Sequence, residues 1–481
     1  MVLAIRGIRP SPPVLALLLG ALAGGLTPWL TWYLQTDGLM LALGLLALWL
    51  AALAATVRFD LVVFLTFCLF GIVRIEPAPS DVLSMLLLAV GLATGRLSPK
   101  SLNGLPLIHV FAWILLLVNV ASLLSAPQLL QSLRFMMITV YLLAFTYFVK
   151  MYVTSPQALG RIAVAYLVTV LVNMLLVLLG YLGFSPFAEM FLQDGVRAVG
   201  AFKDPNVFGP FAIPIVVFLV DEILYPSVLP RFRAAKVLGV VVATSAVLLS
   251  LSRAAWGNLL IAVLTYAVLN ARRLSRAVTS PLVWGLASAL LIVLASGLYW
   301  SVIVQLRLDE QLGWRLELQD YDTYRFARQA TGVDAGLTHL FGVGPGVWDN
   351  AHSLYARVLA EHGVFGFASL SLLIFVLLVG TLRRALLETG KPYGLSAKVV
   401  LACFLGLLFN SAVIDTIHWR HFWLVLALAW VVSTPEGPVP GRGLWTPARP
   451  DSSGSPGGRS RREACSSRQP METPERMLGS R

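Results

Sequence analysis

Leu159-Gly160-Arg161-Ile162-Ala163-Val164-Ala165-Tyr166-Leu167-Val168-Thr169-Val170-Leu171-Val172-Asn173-Met174-Leu175-Leu176-Val177-Leu178-Leu179-Gly180-Tyr181-Leu182-Gly183 carries a single charge, Arg161, near its start. Roughly 20 apolar residues are what a helix needs to cross a hydrocarbon layer. Comparable runs, most of about 17 to 25 residues, recur from Val14 to Val432. Hydrophobic residues make up 58% of the 481 and charged ones only 12%, against about a quarter charged in a soluble domain. Lipid offers no water to satisfy amide groups, so such segments must close their own backbone hydrogen bonds as helices. The fold class that follows is all-α, a polytopic membrane protein.

Runs bounded by charge, Pro or Gly place spans near 13–34, 39–57, 59–74, 80–96, 105–125, 131–150, 159–183, 205–224, 236–252, 254–270, 281–301, 363–382, 395–414 and 420–434. That is about 12 to 14 transmembrane helices, depending on the short third and last runs and on whether the chain breaks at Ser252-Arg253. The first run follows Arg6 and Arg9 like a signal peptide. It continues through Trp29 to Leu34 with another span behind it, and reads as an uncleaved helix.

The formal charge of +12 would point to nucleic acid in a soluble chain. Here the basic residues are dispersed between apolar runs and act as topology signals, so no nucleic-acid partner is expected. Arg6, Arg9, Arg58, Arg96, Lys100, Lys150, Arg161, Arg231, Arg233, Lys236, Arg272, Arg273, Arg276, Arg383 and Arg384 all fall on one side, which is then cytoplasmic. Both termini share that side, with Arg74 a minor exception. The opposite side carries a loop around Phe184 to Lys203 and one long extracytoplasmic loop, 302–362, rich in Asp and Glu.

The domains expected are a transmembrane domain over 1–434 and a disordered cytoplasmic tail over 435–481, whose Pro, Gly, Ser and Arg cannot bury a core. Cys68, Cys403 and Cys465 lie far apart and suggest neither a disulfide framework nor a thiolate metal site. No Walker loop or dinucleotide fingerprint is present, so no nucleotide cofactor is expected.

Ionisable groups at the membrane edge mark candidate chemistry, with pairing or snorkelling as the alternative. Gly342-Val343-Gly344-Pro345-Gly346 permits a tight turn that returns a helix to the membrane near His352. On such a helix His352, Tyr355, Ala356 and Leu359 share a face. The imidazole of His352 could take a proton from a sugar hydroxyl near neutral pH, or it could cap the helix entry. In Leu249-Ser250-Leu251-Ser252-Arg253, the guanidinium of Arg253 suits a pyrophosphate or snorkels beside Trp256.

In Arg197 through Lys203-Asp204-Pro205-Asn206, Asp204 and Pro205 are an N-cap and first-turn proline. Arg197 and Lys203 add charge where a helix N-terminus already favours an anion. Arg134, near the outward end of its span, carries the same ambiguity as Arg253. Asp415, His418, Trp419, Arg420 and His421 read mainly as an interfacial belt. Asp415, His418 and His421 share a helical spacing, but nothing nearby supplies further ligands, and no metal site is expected.

At these motifs the sequence resembles the O-antigen ligase and polymerase superfamily of bacterial envelope enzymes. Three segments match in order: Phe202-Lys203-Asp204-Pro205-Asn206, Leu251-Ser252-Arg253, and the 342–346 glycine run followed by His352-Ser353-Leu354-Tyr355. The resemblance covers about residues 190–430. It implies a membrane glycosyltransferase, without a metal or nucleotide sugar, at the outer face of the bacterial cytoplasmic membrane. Its donor would be an undecaprenyl-diphosphate-linked glycan and its acceptor a glycan or lipid, among membrane lipids.

By that resemblance His352 is the base that activates the acceptor hydroxyl. Arg253 and Arg197 hold the diphosphate, with Lys203 and Arg134 as further cations. The family histidine is commonly followed by asparagine, and Ser353 stands there instead, which bears on the acceptor contacts. The rival reading is a transporter or lipid-linked sugar flippase, whose mark would be internal repeats or paired broken spans, and no such symmetry is visible. A peptidoglycan polymerase of the shape and division type fits the span number less closely.

Overall fold

A run such as 159–183 becomes a helix because a capped start meets an unbroken apolar stretch. Ser155 Oγ accepts from the Ala158 amide at 3.1 Å, Pro156 occupies the first turn, and the helix runs Pro156–Tyr181. The structure is a computed structural model that describes residues 38–74, 77–183, 190–271, 320–348, 351–387 and 390–434. All of these lie within the unit Met1–Pro435.

Within them the helices are α1 (Gly38–Val57), α2 (Phe59–Cys68), α3 (Pro79–Ala93), α4 (Pro106–Ser122), α5 (Leu129–Tyr152), α6 (Pro156–Tyr181), α7 (Pro205–Leu224), α8 (Arg233–Leu249), α9 (Arg253–Leu269), α10 (Asp320–Thr338), α11 (Leu354–Leu387), α12 (Ala397–Val413) and α13 (Arg420–Ser433). The strands described are a two-residue antiparallel pair, β1 (Leu192–Gln193) and β2 (Arg197–Ala198), with Gln193 opposite Arg197. This is the all-α polytopic architecture that composition requires. Among the described residues, α5, α6, α7, α11 and the segment Pro106–Ser125 are long and apolar enough to cross a membrane. The expected spans near 13–34 and 281–301, residues 302–319 of the long loop, and the tail 435–481 lie outside the described residues.

Helix α8 packs on α7, α9 on α12 and α7, α4 on α11, and α13 between α5, α11 and α12. In α13 the side chains from His421 through Ala427 and from Ala429 through Val432 are buried, including Trp423 and Trp430, so it runs through the middle of the protein. Trp113 and Leu117 of α4 are 65% and 67% exposed, as an apolar face turned to lipid should be. Because lipid tails are as apolar as these side chains, close packing and interhelical hydrogen bonds hold the bundle.

Two features shape the site, the first a departure from the sequence reading and the second a break that it placed. The run 59–74 is not one span: α2 ends at Cys68, about 15 Å long at 1.5 Å per residue. Beyond it the chain leaves the helix and pairs with the 190–203 loop. The Val73 amide donates to Ala201 O at 3.2 Å, Arg74 Nε donates to Phe202 O at 3.1 Å, and Arg74 also donates to Met190 O. Non-helical backbone at such depth is tolerated where protein covers it.

The second concerns Ser252-Arg253, which is a true break. Leu251 has φ +50°, and Ser252 Oγ accepts from the Ala255 amide at 3.3 Å to cap α9. Arg253 is therefore the first residue of a helix, not the middle of one.

Candidate functional site

Arg197 reaches its place through the small β hairpin. The amides of Val199 and Gly200 donate to Phe191 O, both at 3.1 Å, and the Ala201 amide donates to Asn173 Oδ1 at 2.7 Å. This explains a polar Asn173 inside α6. Next in sequence, Asp204 accepts from the Asn206 amide at 2.8 Å and caps α7, the structural role expected of it.

The buried Arg197 donates through Nε to Ser250 O at 3.3 Å and through a terminal nitrogen to Asn206 Oδ1 at 3.4 Å. The α7 entrance and the break before α9 thus share one guanidinium. Arg253 projects from the start of α9 and donates to both carboxylate oxygens of Asp322 on α10, at 2.6 and 2.7 Å.

These residues border one cavity of about 420 Å³, lined by Asp194, Arg197, Asn206, Leu251, Arg253, Asp322, Arg325 and Gln329 among others. The lining is both charged and apolar, with Phe326, Phe409, Val413 and Ile414 on its other walls. Gln329 carries the cavity to His352, since its amide nitrogen donates to the His352 carbonyl at 3.0 Å.

His352 is not on the helix that the spacing predicts. Helix α11 starts at Leu354, and Ser353 Oγ accepts from the Ala356 amide at 3.4 Å as its cap. His352 sits before that cap with φ +48°, a conformation that costs a non-glycine residue about 1–3 kcal/mol. Serine at 353 supplies the capping oxygen that an asparagine would supply there. Partial burial and then the charge of Arg325 lower the His352 pKa below its ordinary 6.5. Asp204 and Asp415 oppose that shift, and Arg328 adds to it.

Backbone strain collects here. Of the five non-glycine residues with positive φ among the described residues, Asp194 and Leu251 line the cavity, and His352 is joined to it through its carbonyl, which accepts from Gln329 of the lining. Such strain persists only where surroundings over-determine it, and it clusters at functional sites.

The loop ahead of His352 is held by a buried ion cluster that sequence reading missed. Glu361 Oε1 accepts from the Trp348 amide and from Arg357 Nε, both at 3.0 Å, while Arg357 also pairs with Asp415. Arg357 is 3% and Glu361 2% exposed, so neither charge has water as an alternative partner. The amides of Val343 and Gly344 donate to Ala360 O and Glu361 O at 2.9 and 3.2 Å. A Cβ on Gly342 would overlap the Glu361 backbone. The i,i+4 spacing of Arg357 and Glu361 was a visible signal; the Asp415 partner was not.

Helix α10 closes the same side. A Cβ on Gly336 would overlap the Leu359 backbone, and one on Gly332 would crowd the Trp348 ring. The Gly-x-x-x-Gly spacing thus lets α10 lie directly on the first turns of α11. Arg328 stacks over the Trp348 ring at 4.6 Å. Through this contact α10 presents Asp322, Arg325 and Gln329 to the cavity.

Two of the candidates stand elsewhere. Lys203 is outside this lining, and its pKa is lowered by partial burial and by Arg420. Arg420 itself pairs with Asp81. Arg134 is exposed on α5 and also outside the lining. Asp415 is committed to Arg357. His418 stacks on Phe135 with ring centroids 5.4 Å apart, and burial and then Arg357 push its pKa well below the usual value.

Residues 238–371 match the family model described as O-antigen ligase. The matched stretch contains Arg253, Asp322, Gln329, His352, Arg357 and Glu361. It supports the O-antigen ligase and polymerase superfamily that the motifs indicated. No curated protein matches the chain.

Proposed function

With that family region as the premise, we propose that this chain transfers a glycan from an undecaprenyl diphosphate carrier to an acceptor hydroxyl at the outer face of the cytoplasmic membrane. The observation that carries the reading is one cavity where Arg197 and Arg253, from two distant motifs, meet, with Gln329 of its lining bonded to the His352 carbonyl. A diphosphate needs fixed cations at the lipid edge, and guanidinium forks bind phosphate oxygens in pairs. Asp322 shows where Arg253 offers its guanidinium, one terminal nitrogen donating to both carboxylate oxygens, and diphosphate oxygens would take the place of that carboxylate. Arg325 adds a further cation to the same wall.

In the transfer, the acceptor oxygen bonds to the anomeric carbon as the bond from that carbon to the diphosphate oxygen breaks. The hydroxyl proton passes to the His352 imidazole, and undecaprenyl diphosphate leaves with the bonding electron pair. A base works best with a pKa near the operating pH, while a neutral imidazole is the form that can accept a proton. The lowered His352 pKa keeps that form populated at neutral pH. The arginines stabilise the charge that grows on the leaving diphosphate, the role of fixed donors in a low-dielectric site. Lys203 and Arg134 serve as cations on the approach to the cavity. The same reading divides the chain into a membrane domain, 1–434, with the extracytoplasmic loop 302–362, and a cytoplasmic tail, 435–481.

The test is transfer of labelled lipid-linked glycan by the purified protein in liposomes. Transfer that persists at full rate in both His352→Ala and Arg253→Ala would sink the assignment. The glycan profile of a deletion strain then separates the two activities. Full chains left on the carrier mean a ligase, and single repeat units mean a polymerase.

A further inference from the structure

Three helices run between the arginine cavity and a second polar pocket at their other ends. Helix α7 has Asn206 in the first and Asp221 in the second; α9 has Arg253 in the first and is followed by Asn270 in the second; α12 has Val413 in the first and Lys398 in the second. The 15 to 17 positions between these residues rise about 23 to 26 Å, most of the roughly 30 Å of a hydrocarbon core. The second pocket therefore lies toward the opposite membrane interface. It has a volume of about 230 Å³ and is lined by Asp221, Tyr225, Asn270, Arg384, Lys391, Ser396 and Lys398, among others.

Among the described residues the lining is basic, with Arg384, Lys391 and Lys398 against the carboxylate of Asp221. That carboxylate is already matched: Lys391 Nζ pairs with Asp221 Oδ2 at 2.8 Å, and Tyr266 Oη donates to Oδ1 at 2.9 Å. Lys398 Nζ donates to Leu269 O at 2.8 Å, which sets its ammonium at the carbonyl end of α9. Lys391 likewise donates to Tyr225 O at 3.1 Å. The lysines are thus fixed in position around a space rather than trailing into water, and a lining with more cations than carboxylates suits an anion.

We propose that this pocket binds a phosphate group, either the headgroup of an anionic lipid in the leaflet opposite the arginine cavity or free phosphate. Basic pockets between transmembrane helices at an interface are suited to phosphate headgroups. Occupancy would tie the ends of α7, α9, α11 and α12 together and so bear on the same helices that build the arginine cavity. Nothing in the transfer reaction uses this pocket, so its test is independent of that assignment.

The full chain, purified in detergent, is titrated with phosphatidylglycerol and phosphatidylcholine and bound lipid is counted by native mass spectrometry. Retention of phosphatidylglycerol at least tenfold tighter than phosphatidylcholine is expected, with loss of that preference in Arg384→Gln/Lys398→Gln. Ser396→Asp is the second variant. Asp is as well suited as Ser to the N-cap position that Ser396 holds on α12, and it puts a carboxylate at the pocket without removing a cation, so the preference should fall there too. Inorganic phosphate that protects the wild type from heat, and not the variants, with no lipid preference, identifies free phosphate as the source. Equal phosphatidylglycerol retention and equal phosphate protection in wild type and both folded variants overturn the proposal.

Discussion

Arg253 shows how much a single side chain depends on its place. At the start of α9 one terminal nitrogen of its guanidinium donates to both carboxylate oxygens of Asp322, so a phosphate would meet a guanidinium already held in place. Arg253→Ala should lower transfer by about 100-fold or more, the scale for removing one fixed donor to a developing charge. Arg253→Lys should recover only part, because an ammonium keeps the charge and loses the fork. Turnover in liposomes measures both.

His352 makes the residue-scale prediction on pH. Its folded pKa is depressed, so the imidazole stays neutral and able to accept a proton as pH falls into the ordinary histidine range. The acidic limb of the rate profile should accordingly lie below about 6.5. Arg325→Gln removes one of the lowering causes and should move that limb upward. An unchanged profile would remove His352 as the titrating base.

At the scale of elements, α11 is the part that sets the site, because it is two limbs. Gly363, with φ +61° and ψ −168°, breaks it. The limb after the break, 364–387, is about 36 Å long at 1.5 Å per residue and crosses the membrane. The limb before it stays at the arginine end and carries Arg357 and Glu361. Glu361→Gln leaves the buried Arg357 with less compensating charge, and losing one partner of a buried pair costs about 3–5 kcal/mol. A lower thermal midpoint in detergent is expected. Transfer should fall through turnover with little change in donor KM, since the 342–348 loop and His352 lose their support while the arginines keep theirs. Gly336→Leu should be worse tolerated than Gly332→Ala, because the Leu359 backbone leaves α10 no room to retreat.

For the whole molecule, the described helices present their site residues at one end and the basic pocket at the other. In the proposed orientation, with the basic loops on the cytoplasmic side, the arginine end is extracytoplasmic. In a chain with its three cysteines replaced by alanine, Gln193→Cys should react with a membrane-impermeant maleimide on intact cells. Ser98→Cys should react only after permeabilisation. The reverse pattern would turn the reaction site toward the cytoplasm and remove the case against nucleotide sugars.

The runs from Val14 to Val432 determined the all-helical membrane fold unaided, because the cost of bare amides in lipid leaves a long apolar run little other choice. Local chemistry was equally legible. Asp204 caps α7 as its neighbours require, and the glycines at 342–346 turn where a side chain could not. What sequence could not state was partnership. Arg357 meets Asp415, Arg253 meets Asp322 and Gln329 meets the His352 carbonyl only once α10, α11 and the loop after α12 are packed, since no spacing along one helix encodes a neighbour on another. The extended run 59–74 misled for the same reason: past Cys68 the chain turns, and the Val73 amide pairs with Ala201 O of the 190–203 loop, a partner that nothing along the run encodes.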